Sequence, residues 1–114
     1  MSKVITSQIK RYQGSVTIAD PLNIRQAMLV EAGMQRPKEN EIGEDGRVWL
    51  SVVDEKRIPA ICACVEKWEL ENFPASVTPE TFPASPRLDT TKLIEWLFLE
   101  IRKVYFGDLS VPNA

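Results

Sequence analysis

The chain has no histidine, and its 114 residues contain only two cysteines, Cys62 and Cys64. Without histidine there is no side chain that ordinarily titrates near neutrality, no Ser-His or Cys-His nucleophile pair, and no histidine-containing metal site. Catalysis would fall to carboxylates, lysine, tyrosine or a cofactor, and these occur in no recognisable arrangement. The chain is therefore expected to be a binding protein without a cofactor, and not an enzyme. Two cysteines suit a reducing compartment. On a helix, positions i and i+2 point about 200° apart and cannot share an ion. Both are read as small packed hydrophobes, and no metal is expected. A dominant charge is missing as well: 14 basic against 16 acidic residues leave a net −2. That gives no basic field to hold nucleic acid or anionic lipid. Long apolar runs are absent, since charges interrupt every stretch far short of the roughly 20 residues of a membrane span. Met1-Ser2-Lys3-Val4 lacks the apolar core of a signal peptide. A cytoplasmic protein is expected, with neither nucleic acid nor membrane as partner.

What is present reads as one domain, residues 1–114, with 44% hydrophobic and 26% charged residues. Residues 1–20 form a β element: a loose alternation from Val4 to Ile9, turn chemistry at Tyr12-Gln13-Gly14-Ser15, and the β-branched run Val16-Thr17-Ile18. Asp20-Pro21 breaks it. Asn23 with Gln26 three residues on is a capping-box pattern opening a helix. Ile24, Ala27, Met28 and Val30 or Glu31 lie at helical spacing, and Gly33 is the expected stop. Residues 34–46 are polar, carry Pro37, Gly43 and Gly46, and read as a mobile loop. Val48 to Val53 suits strand and helix equally. From Ala60 to Glu71 a stripe through Ile61, Cys64, Val65 and Trp68 has i, i+3, i+4, i+7 spacing, which predicts a helix. Glu66 and Glu69 fall on its solvated side.

A proline-rich connector follows, with four of the eight prolines between Phe73 and Pro86. It contains Phe73-Pro74-Ala75-Ser76 and again Phe82-Pro83-Ala84-Ser85, each phenylalanine a natural core plug beside a rigid bend. Thr78-Pro79-Glu80 suggests a single helical turn. The last helix is expected from about Asp89 to Phe106, stopped by Gly107, with a flexible or partner-docked tail over 108–114. At about 100° per residue, Leu93, Ile94, Leu97, Phe98, Ile101, Val104 and Tyr105 share an arc of roughly 140°. Trp96 and Leu99 fall among the charges opposite. The predicted fold class is mainly α, two to three main helices after a short N-terminal β element. The surplus on the last helix points to a protein partner.

Four stretches together resemble small virion-assembly proteins of tailed bacteriophages and prophages, specifically the tail assembly chaperones of long-tailed phages. They are Gly14-x-Val16-x-Ile18-x-Asp20-Pro21-Leu22, Ile58-Pro59-Ala60-Ile61-Cys62-x-Cys64-Val65-Glu66-Lys67-Trp68, Thr78-Pro79-Glu80-Thr81-Phe82-Pro83 and Leu93-Ile94-x-Trp96-Leu97. The resemblance covers most of the chain, loosely over 34–56, and carries no catalytic motif. It implies a mostly helical, commonly oligomeric protein of the host cytoplasm. Such a protein binds the long tape-measure protein, or another tail protein, and keeps it soluble while the tube polymerises. Trp96 and Leu99, with Phe73 and Phe82 of the connector beside them, are the candidates for that surface. The alternative is a structural tail or head–tail connector subunit that stays in the particle, and a third reading is a host-directed regulator.

Overall fold

The computed structural model of the chain describes residues 2–34 and 50–109. Three strands, β1 (Ser2–Thr6), β2 (Gly14–Ala19) and β3 (Val65–Leu70), form an antiparallel sheet in the order β1-β2-β3. Three helices accompany it: α1 (Ile24–Met34), α2 (Leu50–Cys64) and α3 (Arg87–Leu109). The mainly helical expectation is corrected by this arrangement. The hairpin near the N-terminus is two thirds of a sheet, and the protein is a small α+β domain.

The cause of the error is local. The stripe Ile61, Cys64, Val65, Trp68 spans two elements, because α2 ends at Cys64 and β3 begins at Val65 with no residue between. Val65 pairs with Ile18 and Lys67 with Thr17, so Glu66 has no partner on β2 and is bulged. A bulge restores a strand's facing after an extra residue. Val65 and Trp68, three apart, thus both turn inward, the spacing that a helix also produces. Glu66 and Glu69 are exposed, but from a strand.

The hairpin packs by simple alternation. Ile5 of β1 and Val16 and Ile18 of β2 are buried, whereas Ser2, Val4 and Thr6 face away from the core. At the start of β2, Gly14 has φ +133°, and a Cβ there would lie 1.9 Å from the Glu69 carbonyl oxygen. Only glycine permits that approach between β2 and β3. Past β3, Asn72 adopts φ 60°, a conformation asparagine tolerates, and its Nδ2 donates to the Arg11 carbonyl at 3.0 Å. The Glu71 N–H donates to the Gln13 carbonyl at 2.8 Å, tying the end of β3 to the hairpin loop.

The capping box at the start of α1 is formed. Gln26 N–H donates to Asn23 Oδ1, and Asn23 N–H donates to Gln26 Oε1, both at 2.8 Å. Gln26 reaches further, its Nε2 donating to the Ala63 carbonyl at 2.9 Å. The last carbonyls of a helix lack intrahelical donors, so one side chain caps the start of α1 and the end of α2. The orientation expected for α1 is corrected: Ile24 and Met28 face outward, and Val30 and Gly33 are its buried residues. Gly33 lies inside the helix and serves packing, because a Cβ there would stand 2.8 Å from the Phe98 ring.

Residues 50–53, left open between strand and helix, begin α2, and Pro59 sits in its interior. Residues 48 and 49 lie outside the described residues, as does the loop expected over 34–46 from residue 35 on; Met34 closes α1. The last helix is longer than expected at both ends and passes through Gly107 to Leu109. Of the tail expected over 108–114, residues 108 and 109 are helical and the rest lie outside the described residues. The buried arc expected of α3 is observed except at Tyr105, which is half-buried. Leu93, Ile94, Leu97, Phe98, Ile101 and Val104 are buried in a single core with Ile5, Val16, Ile18, Val30, Ala60, Ile61, Cys64 and Val65.

Gln26→Ala should destabilise the fold by about 2 kcal/mol, roughly 1 for the α1 cap and 1 for the bond to Ala63. Gln26→Glu keeps the cap acceptor but turns a carboxylate oxygen toward the Ala63 carbonyl, so it too should destabilise, whereas a residue acting only as the α1 cap would tolerate the change. Urea unfolding of both variants beside the parent checks this, and a Gln26→Glu variant as stable as the parent would remove the second role.

Candidate protein-interaction surface

The connector folds inward. Phe73 and Phe82, the phenylalanines of the two repeated tetrapeptides, meet at Trp68 of β3. Phe73 stacks on Trp68 with ring centroids 4.9 Å apart and planes 17° from parallel. Phe82 stands edge-on to both, 6.3 Å from Trp68 and 5.9 Å from Phe73. Tyr12 closes the cluster against Phe73 at 5.6 Å. Phe82 is buried and Phe73 half-buried. The turn expected at Thr78 holds Phe82 in place: Thr78's carbonyl accepts from Thr81 N–H at 3.1 Å and Phe82 N–H at 2.9 Å. These two phenylalanines serve the chain's own core, so little of either is left for a partner.

On α3, Trp96 and Leu99 part company. Trp96 is half-buried and packs on the edge of the core. Leu99 is 50% exposed, and so are Leu88 at 66% and Phe106 at 45%. Eleven and eighteen residues separate Leu88 from Leu99 and Phe106. At about 100° per residue the three fall within roughly 20° around the helix axis, on a line about 27 Å long. Lys92, Glu95 and Arg102 alternate with them. Arg102 places its guanidinium 5.7 Å from the Phe106 ring, and Tyr105 meets the same ring edge-on at 5.2 Å. Leu88 and Phe106 were not singled out in the sequence; their i+11 and i+18 spacing from one another and Leu99 was the available signal. Ile24 and Met28 form a second exposed pair on α1, beside a concavity of about 520 Å³ that Arg25 and Leu29 also line.

Electrostatics tie the edges together. Glu100, next to Leu99, accepts from Lys103 at 3.0 Å and pairs with Lys3 of β1 at 3.4 Å. Burial pushes its carboxyl upward, but the hydrogen bonds and charges of Lys103 and Lys3 outweigh that and hold it below the ordinary value. Tyr105 donates to Glu31 at 2.7 Å, joining the C-terminal turns of α1 and α3, and this bond raises the phenol's pKa. Burial, aided by the Glu80 charge, raises the Cys62 thiol to about 11, and burial raises Cys64 to about 12. Neither is a nucleophile near neutrality. Among the described residues no group of three or more histidine, cysteine or acidic side chains is placed to hold a metal ion, and none of the described helices is long and apolar enough to cross a membrane. No family model, curated protein or solved structure matches the chain.

Two measurements follow from this chemistry. Glu100 stabilises the fold above its ordinary pKa of 4.5, and that share is lost as pH falls through the lower folded value. Unfolding stability should therefore fall less steeply from pH 5 to pH 3 in Glu100→Gln than in the parent, and parallel profiles would discount the Lys3–Glu100–Lys103 tie. Replacing both cysteines by alanine should cost about 1–2 kcal/mol from lost apolar packing. Chemical denaturation tests that, and loss of the fold would assign the thiols a larger role.

Proposed function

We propose that the chain is a non-enzymatic binding protein that receives an amphipathic helix of another protein along the outer side of α3. The observation that carries this reading is the alignment of Leu88, Leu99 and Phe106 on one exposed line of a helix whose opposite face already fills the core. Apolar side chains spaced along a helix at recurring offsets are what helix-on-helix recognition uses. The alternating Lys92, Glu95 and Arg102 keep that line soluble when it is unoccupied. The narrower reading, a phage tail assembly chaperone for the tape-measure protein acting in the host cytoplasm, is supported by the sequence resemblance. The three-stranded sheet is not part of the mostly helical protein which that resemblance implies.

Leu99→Ser with Phe106→Ser tests the surface without touching the core. The double variant should keep the parent's thermal stability within about 1 kcal/mol, as surface changes usually do. It should lose the ability to keep a co-expressed tape-measure protein soluble, or to self-associate in sedimentation. Unchanged binding and assembly in a folded double variant would remove α3 as the surface. Mass spectrometry of purified particles separates the chaperone, which leaves, from a structural subunit, which stays.

A further inference from the structure

We propose that residues 65–70 are a conformational switch: a helix-competent segment held as an edge strand, which joins α2 when the contacts holding it are removed. Four observations converge on this.

The segment's composition opposes its conformation. Glu66, Lys67, Glu69 and Leu70 are strong helix formers and glutamate and lysine are depleted in strands; Val65 and Trp68 alone favour the strand. Here local preference and global fold conflict.

The junction needs no loop. Cys64 is the last helical residue and Val65 the first of the strand, so continuing α2 requires no new turn. In an extended α2, Trp68 would stand over Ile61, Cys64 and Val65 on one stripe. Ile61 and Cys64 are already fully buried, so this stripe continues the face that α2 presents to the core.

The stop is a specific competitor. In a continued helix the Ala63 carbonyl would accept from the Lys67 N–H. Gln26 Nε2 donates to that carbonyl instead, at 2.9 Å.

The strand's backbone is paired on one side only. β3 is an edge, paired with β2, and is anchored by Phe73 and Phe82 against Trp68, by Ser2 Oγ donating to the Glu66 carboxylate, and by the Glu71 N–H to the Gln13 carbonyl. Its departure frees the hydrogen-bonding edge of β2, a surface to which a partner's strand can add. This inference is independent of the α3 surface proposed above.

Backbone carbon shifts of residues 65–70 in the full-length Trp68→Glu variant test it. This substitution removes the stack and the inward anchor while keeping helix preference. The shifts should move from strand to helical values, with a gain of ellipticity at 222 nm and native shifts in the core-packed stretch of α3 from Leu93 to Val104. Coil shifts, or persistence of the strand, would overturn the proposal. Should Trp68→Glu fail to fold, saturation-transfer exchange on Gln26→Ala decides. A minor state of roughly 1% or more with helical shifts confined to 65–70 supports the switch; a minor state with coil shifts, or none, overturns it.

Discussion

Trp68 faces the core together with Val65 because Glu66 is bulged out of β3, and the remainder of the domain is arranged around that placement. Inward-facing Trp68 gives Phe73 a ring to stack on and Phe82 an edge to meet. Those contacts seat the proline-rich connector on the sheet. Val65 carries the strand's other end into the core beside Ile18. Without the bulge, either Val65 or Trp68 would face the solvent, because strand side chains alternate. The rings of the connector would then lack their platform.

The legible parts of the fold were those governed by one period or one local bond. The capping box at Asn23 and Gln26 is a contact between residues three apart, and it is formed as the residues suggest. The buried arc of α3 obeys a single 3.6-residue period over many turns. The hairpin of β1 and β2 alternates cleanly. What the residues concealed was β3, because a bulge converts a two-residue period into a three-residue step and so counterfeits a helix. The orientation of α1 was hidden for another reason. It packs on the Phe98 ring of α3 at Gly33, a residue with no side chain to reveal a face, and the apolar Ile24 and Met28 are left outside.

The candidate surface was partly legible on the same grounds. Leu99 stands out because its neighbours on the helical wheel are charged. Trp96 stands out equally in the sequence, yet a side chain of that size reaches around the helix to the edge of the core, so its angular position overstates its exposure. Phe73 and Phe82 read both as core plugs beside rigid bends and as surface candidates, and the core reading is the one observed, with Phe82 buried and Phe73 packed against the core. Trp68, once placed on the sheet, decides it. Gln26 reads as an ordinary cap; that it also bonds the end of α2 depends on a contact 37 residues away in sequence.

The sheet and the core built on it depend on β3 being a strand in this register, and cross-strand nuclear Overhauser contacts in the parent protein test that most directly. Contacts linking Val16 with Trp68 and Ile18 with Val65, with Glu66 unpaired, are expected. Medium-range contacts from Ala63 to Lys67 and from Val65 to Trp68, with no contact to β2, would mean that α2 runs on through Trp68, and would contradict both the sheet and the core built on it.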